Sequence, residues 1–185
     1  MLMMVIGAMI VISEIDNLLR TFMPPNHYWS KIFESIYPSG QAGIWKFFLV
    51  AAILAPFVEE TIFRGVILKG FVKHYRPHRA IIASAILFGL IHLNPWQFWG
   101  GVIWGCIAGW WFYKTSSLIP CIIGHLLLNS TPLFASDLLK LKITGFTVNC
   151  HPVQYQPLWF DLLGVGLLAL GIMILAKLFR YNRKF

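Results

Sequence analysis

Six residues of the sequence have the types that hydrolases use to activate water against a carbonyl group. They fall in three short patterns, "EETIFR", "FGLIH" and "HLLLN", and are Glu59, Glu60, Arg64, His92, His125 and Asn129. In a low-dielectric site a carboxylate or an imidazole can accept a proton from water. Imidazole and amide N–H groups can stabilise the resulting oxyanion, each donor contributing about 2.7–4 kcal/mol. Together the patterns predict a water-activating site.

The two glutamates and the arginine stand in an apolar region, between "IWKFFLVAAIL" and "VILKGF". Each charge at a bilayer centre costs about 2.5–3.5 kcal/mol even on an insertion scale. Glu60 and Arg64 are four residues apart and can pair along one helix. Glu59 would have to share that arginine, and an unpaired buried carboxylate is costly. Glu59 is therefore the residue for which a purely structural role is hardest to defend.

Each of the other residues has a structural alternative when it is taken singly. His92 could be a helix–helix hydrogen-bonding residue, and Asn129 could hold two helices together. The Glu60–Arg64 pair could be structural alone. Trp and Gly residues of "WGGVIWGCIAGWW" are interpreted as packing residues, with Gly101, Gly105 and Gly109 forming a close-approach face.

The composition predicts an integral membrane protein. The 185 residues are 58% hydrophobic and 12% charged, with a mean hydropathy of +0.70, whereas soluble domains are about 25% charged. The net charge of +8 comes from basic residues between apolar segments, the pattern that sets membrane orientation. Nucleic acid is therefore excluded as a partner. The three cysteines form neither a disulfide framework nor a CxxC metal site.

Six apolar segments are candidate membrane-crossing helices, at about 20 residues per crossing. They are Leu2 to about Leu19, Ile44 to Phe71, Ala80 to Asn94, Trp96 to Tyr113, Leu118 to Ala135 and Leu158 to Phe179. We predict an all-α, polytopic transmembrane bundle of about six helices, one domain over residues 1–185, with the catalytic core in the second to fifth helices. The first segment is the weakest, because Glu14 and Asp16 interrupt it and it could be partly interfacial.

Basic loops set the predicted orientation. The connection "KGFVKHYRPHR" and the tail "KLFRYNRKF" are placed in the cytoplasm, and the loop from Ser136 to Pro157 outside. The segment from Thr21 to Gly43 is predicted to be an outer loop with an interfacial helix. At 1.5 Å per residue, the acid, imidazole and amide groups of three helices reach overlapping depths of roughly 12–22 Å.

The three patterns match the motifs EExxxR, FxxxH and HxxxN in order, spacing and membrane context. Over residues 44–135 the chain resembles the CAAX-protease and bacteriocin-processing (CPBP) membrane endopeptidases, which include the type II CAAX prenyl endopeptidases. The resemblance implies an all-helical intramembrane protease. By position, Glu59 and His92 would activate water, His125 and Asn129 would stabilise the oxyanion, and Glu60 and Arg64 would orient the site.

The resemblance also leads to expectations about metal dependence and about the class of substrate. A metal-free, glutamate-dependent mechanism is favoured; zinc is the alternative, since two His and a Glu could ligate it, but HExxH is absent and Asn is a poor zinc ligand. The expected substrate is a peptide or the C-terminal segment of a membrane-associated or exported protein. The expected location is the bacterial inner membrane, with the C-terminus in the cytoplasm.

Two other functions use the same residues. Intramembrane Glu and His also build the proton relays of transporters, although transporters often have repeated halves, which this sequence lacks. A bacteriocin-immunity or scaffold protein could carry the motifs and bind a partner without cleaving it. Loss of product formation in Glu59, His92 and His125 variants would separate an enzyme from both.

Overall fold

The computed structural model describes residues 1–36, 45–46, 48–147 and 153–181. Within these ranges the regular structure is helical and contains no strand, which confirms the predicted all-α class. The helices are α1 (Leu2–Phe22), α2 (His27–Ile36), α3 (48–71), α4 (Pro77–Leu90), α5 (Pro95–Thr115), α6 (Ile119–Leu133) and α7 (Leu158–Tyr181).

Helix α3 is one continuous helix of changing pitch. Its successive parts are Phe48–Leu54 (π-helical), Ala55–Glu60 (α-helical), Thr61–Leu68 (π-helical) and Lys69–Phe71 (α-helical). Pro56 lies in the α-helical part, where it cannot donate a backbone hydrogen bond to the preceding turn. Wide π turns are frequently found at functional sites, and here they flank the two adjacent glutamates.

In the part of the chain that the structure describes, two helices are long and apolar enough to cross a membrane by length and composition, Leu2–Phe22 and Leu158–Arg180. Pro77–Leu90 and Ile119–Thr131 are shorter apolar helices. The sixth predicted segment therefore matches a helix of full spanning length. The number of crossings and their orientation stay predictions.

The first predicted segment forms one continuous helix although two acidic residues interrupt its apolar run. Helix α1 continues past both acidic residues to Phe22, because each carboxylate has local partners. Asp16 pairs with Arg20 one turn later at 2.5 Å. Glu14 accepts hydrogen bonds from Asn17 at 2.9 Å and from the backbone N–H of Gln156 at 3.0 Å. A helix also lies in the predicted outer segment, as α2; residues 37–44 and 148–152, including Cys150, lie outside the described residues.

The predicted C-terminal end of the third segment is wrong. Helix α4 ends at Leu90 and not at Asn94, so His92 lies in the turn that follows the helix. Proline disfavours a helical conformation in the residue before it, and Pro95 follows Asn94. Leu93 is left-handed, with φ of 54°. The Asn94 side chain instead caps α5 by accepting a hydrogen bond from the backbone N–H of Gln97 at 2.8 Å.

Small residues let α4 and α5 pack closely. A Cβ atom built on Gly101 would lie 2.9 Å from the Cα of Gly89, and one on Gly105 would lie 2.8 Å from the Cα of Ala85. Gly109 similarly faces Ile81, at 3.1 Å. The predicted close-approach face of the glycines is confirmed. Helices α1 and α7 pack on each other in the same manner, around Gly7.

The buried core extends from α1 and α7 to the place where α3, α4, α5 and α6 meet. Its largest aromatic side chains are Phe63, Phe88, Trp104 and Trp111. The first half of α3 packs on α6, and its second half packs on α4 and α5. The two glutamates lie between these halves, so the fold brings them next to α5 and α6.

The close packing at Gly105 predicts the effect of a larger side chain. Gly105→Val would place its Cβ against the backbone of Ala85, and overpacking of this kind costs about 1–3 kcal/mol. We expect the variant to unfold at a lower temperature in detergent. Gly166→Val is the matched control, since a Cβ at Gly166 has nothing within 4 Å. Equal melting temperatures for the two variants would contradict this packing.

Candidate functional site

A fully buried carboxylate, that of Glu60, lies at the centre of the site; its side chain has 0% exposure. Its Oε1 atom lies 2.9 Å from Nδ1 of His125 and accepts a hydrogen bond from Nε1 of Trp104 at 3.0 Å. Its Oε2 atom forms an ion pair with Nε of Arg64 at 3.0 Å. This one side chain therefore joins α3, α5 and α6.

The guanidinium of Arg64 is buried and holds a position between two helices. Besides its ion pair with Glu60, it donates a hydrogen bond from Nη2 to the backbone oxygen of Gly105 at 3.3 Å. It also lies over the ring of Phe88, 4.7 Å from the centroid, at a distance where the ring face attracts a cation. The pairing predicted from the four-residue spacing of Glu60 and Arg64 is confirmed.

The partners of His125 fix which ring nitrogen carries its proton. An ionised carboxylate only accepts hydrogen bonds, so Nδ1 of His125 is the donor to Glu60. The ring is enclosed by Phe88 and Trp104, with centroids 5.7 and 5.5 Å away. Its other nitrogen, Nε2, faces Oε2 of Glu59 at 3.9 Å. This distance is too long for a direct hydrogen bond, but one water molecule could bind both atoms.

Glu59 differs from the adjacent glutamate in its exposure. Its side chain is 25% exposed, whereas that of Glu60 is fully buried. Successive residues of a helix point about 100° apart, so the two carboxylates face different surroundings. The carboxylate of Glu59 interacts electrostatically with both His125 and His92. Glu59 is therefore the acid of this cluster that is open to the protein surface.

His92 occupies the turn after α4 and is partly exposed. Its Nδ1 lies 3.0 Å from the backbone oxygen of Phe88, and a carbonyl oxygen only accepts, so this nitrogen carries the proton. Its ring packs edge-on against that of Phe88. The missing side chain of Gly101 leaves room for the ring, since a Cβ there would lie 3.4 Å from Nδ1. In the neutral ring, Nε2 of His92 can then accept a proton.

Asn129 lies one turn after His125 on α6, as its spacing predicts, but its hydrogen bond goes elsewhere. Its Nδ2 donates to the backbone oxygen of Ala51 at 2.8 Å, in the π-helical first part of α3. One of its two N–H groups is thereby used, and the other is available to a ligand. The structure thus brings together Glu59, Glu60, Arg64 and His125, with His92 at electrostatic range and Asn129 one turn away.

Trp104 is a member of the cluster that the sequence patterns did not predict. Its interpretation as a packing residue accounts for its burial but not for its hydrogen bond to Glu60. The sequence contained one signal for such a contact, because a buried indole N–H usually has a hydrogen-bond acceptor. It could not identify which of the tryptophans in "WGGVIWGCIAGWW" would reach the glutamate.

The residues were also considered as metal ligands. Within the described ranges, no group of three or more His, Cys, Asp and Glu side chains is arranged to hold a metal ion. Nδ1 of each imidazole is engaged by a protein oxygen, and the free Nε2 atoms of His92 and His125 have the donor chemistry that a metal requires. The favoured metal-free mechanism stays a prediction.

An all-helical fold that encloses a charged cluster among apolar helices is expected of enzymes that act within the membrane. Residues 41–131 match the family model described as Type II CAAX prenyl endopeptidase Rce1-like, and all three motifs lie inside this range. This match over the motif-bearing segment confirms the resemblance. Proteins of this family are embedded in the membrane. The match to the family suggests a CAAX-type protease activity that acts on a protein or peptide. No curated protein and no solved structure matches the chain.

The different surroundings of the adjacent glutamates predict different losses of stability. Glu60→Gln leaves the buried Arg64 charge without its counter-ion, and breaking a buried pair costs about 3–5 kcal/mol. Glu59→Gln, the matched control, removes a partly exposed carboxylate and is expected to unfold close to the wild-type temperature. Thermal unfolding in detergent measures both.

A double variant separates the ion pair from other effects at the same position. Glu60→Gln combined with Arg64→Met removes both charges, and an apolar replacement of a buried pair is often nearly neutral. We expect it to unfold at a higher temperature than Glu60→Gln alone. Equal losses in Glu59→Gln and Glu60→Gln would contradict the arrangement described above.

Proposed function

We propose that the protein is an intramembrane endopeptidase that hydrolyses a peptide bond with water activated by Glu59. The observation that carries this proposal is that a partly exposed carboxylate faces an imidazole whose orientation is fixed by a hydrogen bond at its other ring nitrogen. Oε2 of Glu59 lies 3.9 Å from Nε2 of His125, and Nδ1 of the same ring is held by the buried Glu60. A general base needs this combination of access and positioning.

The proposed reaction begins with a water molecule bound at Glu59. Its oxygen bonds to the carbonyl carbon of the substrate while the carboxylate takes one of its protons. The carbon–nitrogen bond then breaks, and the departing nitrogen takes that proton from Glu59. The products are a new carboxylic acid and a new amine, which exchange a proton to become a carboxylate and an ammonium group, and no further reactant is needed. His92, with Nε2 free to accept a proton, assists in holding the attacking water.

His125 and Asn129 are proposed to stabilise the oxyanion. Since Nδ1 of His125 donates to Glu60, Nε2 donates to the oxyanion only when the ring carries both protons. Glu59 has by then taken a proton from water, so the negative charges of Glu60 and the oxyanion balance the positive charges of Arg64 and His125. The second N–H of Asn129 is the other donor. Each such donor contributes about 2.7–4 kcal/mol to catalysis in known enzymes.

The proposed substrate is a peptide or the C-terminal segment of a membrane-associated or exported protein. The family match supports a protein or peptide substrate in the membrane. We also propose six membrane crossings, with the connection from Lys69 to Arg79 and the basic C-terminal tail in the cytoplasm. This orientation follows from the distribution of Lys and Arg.

Hydrolysis can be tested before the substrate is known, by labelling with heavy water. Membranes from cells that express the protein are incubated in H₂¹⁸O, and peptide termini are compared by mass spectrometry with membranes lacking it. We expect new C-termini that carry ¹⁸O, absent with Glu59→Gln, His92→Ala and His125→Ala. His74→Ala and His78→Ala, in the loop between α3 and α4 and at the start of α4, are the controls. Unchanged labelled termini in the Glu59→Gln membranes would exclude this mechanism.

Metal dependence is tested separately on the purified protein. After dialysis against a chelator, we expect the formation of ¹⁸O-labelled termini to be retained and elemental analysis to find no stoichiometric zinc. Activity that is lost on dialysis and restored by zinc would overturn the metal-free mechanism. Thermal unfolding before and after dialysis serves as a control for damage to the fold.

A further inference from the structure

Trp104 lies against two residues of the site. Its side chain is buried, with 1% exposure. Its indole N–H donates to Oε1 of Glu60 at 3.0 Å, and its ring centroid lies 5.5 Å from that of His125 at an angle of 48°. It therefore contacts both members of the Glu60–His125 hydrogen bond.

The two donors on one carboxylate oxygen restrict how Glu60 can turn. Oε1 receives hydrogen bonds from Trp104 on α5 and from His125 on α6, while Oε2 faces Arg64 on α3 itself. Without the indole donor, only His125 and Arg64 would hold the carboxyl group, and it could rotate over a wider range about its last side-chain bond. The acceptor of Nδ1 would then no longer be fixed, and the His125 ring could turn with it.

The sequence of α6 provides the space for this contact. Gly124 precedes His125, and a Cβ at Gly124 would lie 2.7 Å from the ring of Trp104. A larger residue would push the indole away from the helix that carries the imidazole. The pair Gly124–His125 thus admits the ring and supplies the second donor to Glu60.

We propose that Trp104 is a positioning residue: its indole N–H holds the Glu60 carboxylate, and through it the His125 ring, in the orientation used for hydrolysis. This role rests on the proposed function of the site. Trp104 does not contact the reacting atoms, and its influence reaches them through Glu60 and His125.

A second tryptophan of the same helix is a matched control. Trp111 has 0% exposure, packs edge-on against Trp104 at 5.7 Å and lies equally close to a Cβ at Gly124. Its indole N–H, however, has no hydrogen-bond partner among the described residues. The two residues thus share burial, helix and neighbours, and differ in the hydrogen bond to Glu60.

The experiment compares Trp104→Phe with Trp111→Phe in the full-length protein. The first readout is the ¹⁵N spectrum of ring-labelled histidines in detergent, with the His125 signals assigned from their loss in His125→Gln. We expect Trp104→Phe to shift or broaden them and Trp111→Phe to leave them in place. The second readout is the rate at which ¹⁸O-labelled termini form in membranes that contain equal amounts of each variant. It should fall on the order of tenfold in Trp104→Phe alone, as for a lost hydrogen bond to a charged group.

A shape-preserving variant covers the case in which Trp104→Phe does not fold. Trp104→benzothienylalanine keeps the bicyclic ring but replaces the N–H with sulfur, and the same His125 shift is expected. Unchanged His125 signals in this variant, or equal changes in the Trp111 control, would overturn the proposal. If the wild-type protein forms no labelled termini, the proposed function fails, whereas the spectrum still decides whether Trp104 positions His125.

Discussion

The buried carboxylate of Glu60 requires partners, and the arrangement of three helices follows from that requirement. An uncompensated charge in the interior costs several kcal/mol. Three groups reduce this cost: Arg64 on α3 itself, Trp104 on α5 and His125 on α6. The glycines of α5 permit the close approach of α4 and α5, and the carbonyl of Gly105 then accepts a hydrogen bond from Arg64. The same contacts thus pack the helices together and compensate the buried charges of Glu60 and Arg64.

In the proposed mechanism, the adjacent glutamates have different roles: Glu60 is structural and Glu59 is chemical. Glu60 is enclosed and fully partnered, while Glu59, one residue earlier, is a quarter exposed. Both act on the same imidazole from opposite nitrogens, so the buried acid orients the ring for the exposed one. The proposed catalytic unit is an acid–imidazole pair whose imidazole is held in place by a second acid. Preorganised charges of this kind contribute most of the transition-state stabilisation in many enzymes.

Much of this site could be predicted from local spacing. The four-residue separation of Glu60 and Arg64 gave their pairing, and the repeating glycines gave the packing face of α5. The position of His92 was not predictable in the same way, because apolar residues continue past Leu90 and the turn depends on Asn94 and Pro95. The partners of Trp104 and of Asn129 depend on which helices are neighbours, and that information is not local. The hydrogen bond that Glu14 accepts from the distant Gln156 likewise could not be predicted from local spacing.

The most direct test of this account is the distance between the carboxyl carbon of Glu60 and Nδ1 of His125. Solid-state NMR of the protein in lipid bilayers, with ¹³C-labelled glutamate and ¹⁵N-labelled histidine, measures it through their dipolar coupling. We expect the strong coupling of a directly hydrogen-bonded pair, lost in Glu60→Gln once its carboxyl label is absent and retained in Glu59→Gln. A coupling too weak for hydrogen-bond contact would mean that the two side chains do not meet, and the account would be wrong.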